Sequence, residues 1–421
     1  MHILFFSHYF PPEGNAPAAR TYENCRQWAR HGHKVTVITC APNVPSGIVY
    51  DGYKNRLFSR ESMDGINVVR IWTYIAPNEG VVRRIINFLS YLTSSVFASL
   101  FIKKPDVIIA TSPQFFCGWA GVIASRLKNV PFILEIRDIW PESIAAVGAM
   151  KNKRLLRILE RLEIKMYDAA EHIITVGDGY KQKLMEKNVA AEKISVIPNG
   201  IDPDIFYPRE PDETITEKYG LKNKFVCSYI GTIGMACGLD VVIEAAEILK
   251  KDGIHNIVFL LVGEGASKKE LEKKSIDKKL DNIIFAGRQD KSLIPAYLSA
   301  SDACLVHLKK TSIFESVLPS KIFEAASMSK PIILGVEGFA ADLVKKADAG
   351  ICIEPDNAAQ LAGAVKNLAS TPLLCEKLGR NGLDYVSKHH NRNILAQKYL
   401  DTITRICSPD VAEDAILANE K

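Results

Sequence analysis

The chain has no C-x-x-C pair and no other metal-like cysteine spacing, although nine cysteines are scattered along its 421 residues. Buried thiols explain that scatter better than a disulfide framework does. Cys40, Cys227 and Cys304 sit in or beside apolar runs, as buried reduced thiols do. The dinucleotide fingerprint G-x-G-x-x-G is also missing after the first apolar run, where Gly14 stands alone, so a dehydrogenase reading is disfavoured. The only D-x-D is Asp202-Pro203-Asp204, and its central proline makes a turn the better account. No metal is expected. There is no low-complexity tract, and Met1-His2-Ile3-Leu4-Phe5-Phe6 reads as a strand without a basic n-region or cleavage site. A signal peptide is therefore not expected, and the expected compartment is cytoplasmic.

What is present is the composition of a globular protein, 47% apolar and 24% charged, with a length that suggests two domains. The net charge of +5 is uneven: residues 1–200 carry 25 Lys+Arg against 17 Asp+Glu, and residues 201–421 carry 28 against 31. A basic half joined to a mildly acidic half points to one face that meets an anionic surface. Strand-like and helix-like runs alternate in two series, one from Ile3 to Ile197 and one from Phe225 to Ile353, the signature of two parallel sheets with crossover helices. The spacing predicts an N-terminal Rossmann-like domain over 1–203, a Pro- and acid-rich linker over 204–222, and a second domain over 223–385. A helix over 386–406 is expected to return to the first domain, followed by a polar tail over 407–421. Ligands of doubly wound sheets sit outside the strand carboxyl ends, so a cleft between facing domains is the expected site.

Ile85–Ile102 carries no charge and is bracketed by Arg83-Arg84 and Lys103-Lys104. Its Ser, Thr and Asn content argues against spanning a membrane. Two readings stay open: a buried crossover helix, or a helix lying in the bilayer interface with Phe88, Leu92 and Phe97 in lipid and the basic pairs on headgroups. The interfacial reading is favoured, because it also accounts for the positive N-terminal half.

Candidate site residues cluster at strand ends. The first strand opens into Ser7–Arg20, where Gly14, Asn15 and the following helix start offer N–H groups to a phosphate or sugar hydroxyl. A central strand ends in Glu135-Ile136-Arg137-Asp138, followed by Trp140 and Glu142, and Asp138 is the best candidate for orienting a hydroxyl or assisting proton transfer. In the second series three strands end in glycine turns: Gly231-Thr232-Ile233-Gly234, Gly263-Glu264-Gly265, and Gly287-Arg288. These suggest a backbone that closely approaches a ligand with phosphates, with Arg288 supplying charge. Pro319-Ser320-Lys321-Ile322-Phe323-Glu324 reads as a loop entering a short helix, with Ser320 as its cap. Glu324 in its first turn is placed to accept two hydroxyl hydrogen bonds from a ribose.

Taken with Val196-Ile197-Pro198-Asn199-Gly200-Ile201-Asp202, these motifs resemble glycosyltransferase family 4, enzymes of GT-B fold, over the chain up to about Asn393. The Arg137–Glu142 run looks like bacterial O-antigen and capsule transferases, including those that move N-acetyl-L-fucosamine from UDP. The resemblance implies an α/β GT-B architecture of two facing Rossmann-like domains. It also implies retaining, metal-independent transfer, with a nucleotide sugar on the C-terminal domain and the acceptor on the N-terminal one. The chain departs from the family in three places. The second glutamate expected eight residues before Glu324 is Ser316. The basic residues expected after the second domain's first strand are replaced near Thr232 and Cys237. The N-terminal histidine is replaced by the Arg137–Asp138 pair. The donor phosphates are then expected to be met by Gly234–Leu239, Arg288 or Lys321.

The resulting expectation is a peripheral enzyme on the inner face of the cell membrane. It would use a UDP-sugar, with no other cofactor, to extend an undecaprenyl-diphosphate-linked saccharide; no nucleic acid partner is expected. Two alternatives are a UDP-N-acetylglucosamine 2-epimerase-like enzyme and a non-catalytic nucleotide-sugar-binding protein.

Overall fold

The computed structural model describes residues 1–44, 46–75, 81–112, 114–140, 153–315 and 317–408. They form two compact units: Met1–Asn199 together with the chain from Arg392, and Gly200–Asn391.

The first unit is built on an eight-stranded sheet. Its strands are β1 (His2–Phe6), β2 (Lys34–Cys40), β3 (Phe58–Met63), β4 (Ile66–Ile71), β5 (Val107–Ser112), β6 (Phe132–Ile136), β7 (His172–Thr175) and β8 (Ile194–Val196). They lie in the order β3-β4-β2-β1-β5-β6-β7-β8, all parallel except β3. The order reverses at β1 and β5, where open sheets of this kind bind ligands. Both strands read as continuous apolar runs because helices cover both faces. One face is packed by Val81–Leu100, Phe115–Lys128 and Lys153–Ala169, the other by Ala16–Arg30 and Arg392–Cys407. Trp28 holds the last pair together: its ring meets Tyr399 edge-on at 5.1 Å and its Nε1–H donates to the Ala396 carbonyl.

β3 was not anticipated. Its residues alternate half-buried and exposed and carry Arg60 and Glu61, as a charged edge strand does. Asp64 and Gly65, both with positive φ, turn it into β4.

The second unit has six parallel strands: β9 (Phe225–Ile230), β10 (Ile257–Val262), β11 (Ile283–Gly287), β12 (Ala303–His307), β13 (Ile332–Gly335) and β14 (Gly350–Cys352). Their order is β11-β10-β9-β12-β13-β14, with the reversal at β9 and β12. The stretch read as a linker is part of this unit. Asp212 caps a helix over Glu213–Lys218, and Ile201, Phe206, Ile215 and Leu221 belong to the unit's buried apolar cluster. Its acids and prolines are surface and turn residues around those anchors. The chain end also divides differently: Pro372–His389 is a helix of the second unit, and a separate helix, Arg392–Cys407, belongs to the first.

The helix Val81–Leu100 packs in an unusual sense. Asn87, Tyr91, Ser95 and Ser99 face the core, whereas Ile86, Leu89, Phe97 and Leu100 are exposed. Phe97 is 63% exposed and meets Phe101, 62% exposed, at 5.2 Å. It is a crossover helix with an apolar outer face. The residue assignment changes. Leu92 packs against the core, and Phe88 is half-buried with its ring 5.8 Å from that of His8. Of the three, only Phe97 lies on the outer face. No helix among the described residues is long and apolar enough to cross a membrane.

Candidate active site

At the carboxyl edge of the second sheet the three glycine turns are tied to one another. The Gly231 N–H donates to Val262 O (2.8 Å), Ile233 N–H to Glu264 O (2.9 Å), and Gly263 N–H to Gly287 O (2.9 Å). Glycine at 263 is dictated by this weave, since φ is +149° and a Cβ would stand 1.8 Å from the Gly231 carbonyl oxygen. The same holds at Gly265, against the Ile233 carbonyl at 2.3 Å. The sequence reading, a backbone brought close to a ligand, is thus revised for these two positions: the close neighbour is another turn. Gly234 keeps more room, its nearest neighbour being Thr232 Cγ2 at 3.6 Å.

Lys321 reaches into this edge from the start of the helix Lys321–Ser327. Its Nζ donates to the Tyr229 hydroxyl at 3.2 Å and lies 4.7 Å over the Tyr229 ring. It also covers Gly231, where a Cβ would meet Cε at 2.4 Å and Nζ at 2.9 Å. Burial lowers its pKa from the ordinary lysine value, and the nearby Glu324 carboxylate opposes that shift. Glu324, in the first turn of the same helix, shares with Lys321 the wall of a void of about 10 Å³, also lined by Ser228 and Cys304. Room for about one water is the usual requirement of such a polar void. Ser320 occupies the cap position but its side chain makes no cap bond, and Pro319 contributes its carbonyl to Ile322 N–H. Arg288 is exposed just beyond β11, and its backbone N–H donates to Glu264, whose carboxylate also takes Lys268 at 2.5 Å. Glu315 is exposed, and Ser316 lies outside the described residues. Asp202 Oδ1 accepts the Asp204 N–H at 3.0 Å, so the one D-x-D closes a turn.

In the first unit, β1 leads into a loop with a cis Pro11-Pro12 bond and then Glu13, whose buried carboxylate accepts from Asn43 and Val44 N–H. Gly14 faces open space: a Cβ there would meet nothing within 4 Å. Asn15 is the helix cap, its Oδ1 accepting from Ala18 N–H at 2.8 Å. Asn15→Ala is expected to cost about 1 kcal/mol of stability, read from urea unfolding. If capping is its whole role, the donor KM will not move. His8 was not singled out from the sequence. It is enclosed by Tyr9, Phe88 and Tyr91, accepts from Gln114 at 2.8 Å, and is pushed down to about 3 by burial, so it is neutral.

The charges after β6 separate into two kinds. Glu135 is 0% exposed and bridges Arg20 (3.4 Å) and Arg137 (3.5 Å). Arg137 also donates to Pro17 O, and Arg20 donates to Ile197 O, Pro198 O and Asn199 Oδ1. Glu135 and Arg137 are thereby accounted for as an ion cluster joining the helix start, β6 and the end of the unit. Asp138 is half-buried and, with burial the larger cause, helps raise Tyr180 to about 12. Glu142 lies outside the described residues.

Comparison with known proteins matches the same two halves. Residues 15–200 match the glycosyl transferase 4-like domain, and residues 211–384 match glycosyl transferases group 1. The chain is 25% identical over 415 residues to a putative colanic acid biosynthesis glycosyl transferase, WcaI, of Escherichia coli K12, covering 96% of this chain and 100% of that one. It is 27% identical over 318 residues to an Escherichia coli UDP-Gal:alpha-D-GlcNAc-diphosphoundecaprenol alpha-1,3-galactosyltransferase, covering 72% and 79% respectively. Among solved structures, Anabaena Alr3699/HepE in complex with UDP superposes with a TM-score of 0.70 at 17% identity over 96% of this chain and 100% of that one. WaaG, a glycosyltransferase involved in lipopolysaccharide biosynthesis, gives 0.67 at 17% identity over 96% and 99%. These two likenesses establish the fold.

Proposed function

Carrying a glycosyl transferase 4-like domain followed by a glycosyl transferases group 1 domain, the chain is a GT-B glycosyltransferase, and we propose that it moves a sugar from a UDP-sugar to an undecaprenyl-diphosphate-linked saccharide in surface-polysaccharide synthesis. One observation carries the donor half of this reading. At the switch point of the second sheet, a largely buried lysine lies over the Gly231 turn, and Glu324 lies on the same helix. An ammonium buried at a cost, beside glycine turns, suits the diphosphate of a nucleotide; a carboxylate nearby suits its ribose. In this reading Lys321 takes the place of the family's missing basic residues. The relatives in colanic acid synthesis and on a diphosphoundecaprenol acceptor support the acceptor half. N-acetyl-L-fucosamine is the first donor sugar to test.

Transfer proceeds with retention and without a metal. The bond from the sugar's anomeric carbon to the phosphate oxygen breaks and its electron pair leaves with UDP. The acceptor oxygen bonds the same face, and the departing phosphate takes the acceptor proton. Negative charge grows on the diphosphate, where Lys321 and, beyond it, Arg288 stabilise it. Asp138 orients the acceptor hydroxyl. Purified protein with UDP-sugars and lipid-linked acceptors should give a lipid product and UDP. A free UDP-sugar isomer without lipid product would instead indicate an epimerase.

A lipid-linked acceptor together with a UDP-sugar donor suits an enzyme working at the inner face of the membrane. The exposed row Ile86, Leu89, Phe97, Leu100 and Phe101, flanked by exposed Arg83, Lys103 and Lys104, suits an anionic interface. Phe97→Ser with Phe101→Ser is expected to lower the fraction bound to phosphatidylglycerol-containing vesicles at least ten-fold in sedimentation. Unchanged binding by the folded variant would rule this surface out.

A further inference from the structure

His307 ends β12 at the carboxyl edge of the second sheet and is 1% exposed. Its Nδ1 lies 2.7 Å from the Cys237 carbonyl oxygen, and its Nε2 lies 3.0 Å from the Asp356 backbone nitrogen. A carbonyl only accepts, so the proton is assigned to Nδ1, and the bare Nε2 takes the Asp356 amide hydrogen. The ring thereby joins two loops far apart in the chain, one after β9 and one after β14. Each carries a left-handed residue beside the contact: Gly238 with φ +59° and Asp356 with φ +60°.

The fit around the ring is close. A Cβ on Gly335 would come within 2.3 Å of His307 Cδ2, and one on Gly238 within 3.1 Å of its Cε1. The same loop has a second tie, from Lys309 N–H to Ala236 O at 2.9 Å. Between Gly231 and the helix Asp240–Lys251 the loop contains only the short 3-10 turn Met235–Cys237, so these tethers do much to set its path. Burial pushes the imidazole below the ordinary histidine range, which keeps the accepting nitrogen bare at neutral pH.

We propose that His307 is a positioning residue for the donor, a neutral two-ended clamp that holds the Gly231–Leu239 loop in the form that receives the nucleotide diphosphate. This rests on the nucleotide-sugar reading of the same edge. Backbone N–H groups help a developing phosphate charge only when their directions are fixed beforehand. His307 touches no substrate in this account; it acts through the Cys237 carbonyl and the loop it anchors.

Isothermal titration of the full chain with UDP, alongside thermal unfolding, tests this with three variants. His307→Phe keeps a ring without either hydrogen bond. In His307→Asn the amide reaches the Nδ1 position and can restore the Cys237 bond. In His307→Gln it reaches the Nε2 position and can restore only the Asp356 bond. UDP affinity is expected to fall at least ten-fold in the Phe variant, to return within three-fold of the parent in the Asn variant, and to stay low in the Gln variant. A folded Phe variant that binds UDP like the parent overturns the proposal, even if it melts lower. Should the Phe variant not fold, the other pair decides, and equal UDP affinities for Asn and Gln overturn it. A parent protein that does not bind UDP overturns the nucleotide-sugar reading itself and the proposal with it.

Discussion

Lys321→Met is expected to lower kcat/KM for the UDP-sugar by about 100- to 1000-fold while leaving the fold as stable or more so. The size follows from removing one preorganised cationic donor at a developing oxyanion, which costs on the order of 3–4 kcal/mol in comparable sites. The direction of the stability change follows from the lysine's surroundings. Burial disfavours its charged form, and its neutral partner Tyr229 gains little from it. Methionine fills a similar volume without that cost. A charge that burial penalises, placed at a strand end beside glycine turns, is what a group reserved for a ligand looks like. Steady-state kinetics with a fixed acceptor and a thermal melt of the same preparation check both halves. Activity within three-fold of the parent would remove Lys321 from the donor site. Lys321→Arg is not a conservative control, because the planar fork needs room that the Tyr229 ring occupies.

Glu135→Ala is expected to destabilise the first unit by about 3–5 kcal/mol, the cost of stripping a partner from a buried ion cluster. Arg20 and Arg137 would face each other without a counter-charge, and Arg137 is already penalised by burial, with Glu135 the leading opposing influence. The outcome separates the two roles considered for this residue. A purely catalytic Glu135 would lose turnover at constant stability; the ion cluster predicts an unfolding midpoint that moves first. Chemical denaturation followed by tryptophan fluorescence is suitable, since Trp28 is buried in this unit. A midpoint that stays put would refute the structural role.

The parallel strands of the two sheets were readable because they are largely apolar runs, and such runs survive any uncertainty at their ends. β3 was not readable because an edge strand with one wet face carries Arg60 and Glu61 in place of an apolar run. The supposed linker misled through composition: prolines and acids dominate it, and the anchors Phe206, Ile215 and Leu221 are isolated single residues. At the site, the glycine turns and the Lys321–Glu324 helix were visible as motifs at strand ends. Their neighbours were not. Nothing in the sequence says that Gly263 is small for the sake of Gly231, or that His307 reaches both Cys237 and Asp356. Those are consequences of which strand lies beside which, and strand order is not written locally. The outer face of Val81–Leu100 is a similar case. Asn87, Ser95 and Ser99 share the inner face with Tyr91, Leu92 and Ala98, while Ile86, Leu89, Phe97 and Leu100 lie outward, so an uncharged run with apolar residues on both faces does not give the orientation.

The path of the backbone has a further meaning for how the protein is made. The second unit is one uninterrupted stretch, and its two ends meet where Ile201 N–H donates to His390 O at 2.8 Å. The first unit starts at Met1 yet needs the helix Arg392–Cys407 to cover Trp28. During synthesis the middle of the chain can therefore complete its contacts while the beginning still waits for a missing piece. The half that is translated first is completed only when the helix Arg392–Cys407 has been made, and until then its Trp28 flank lacks the cover that the folded protein gives it.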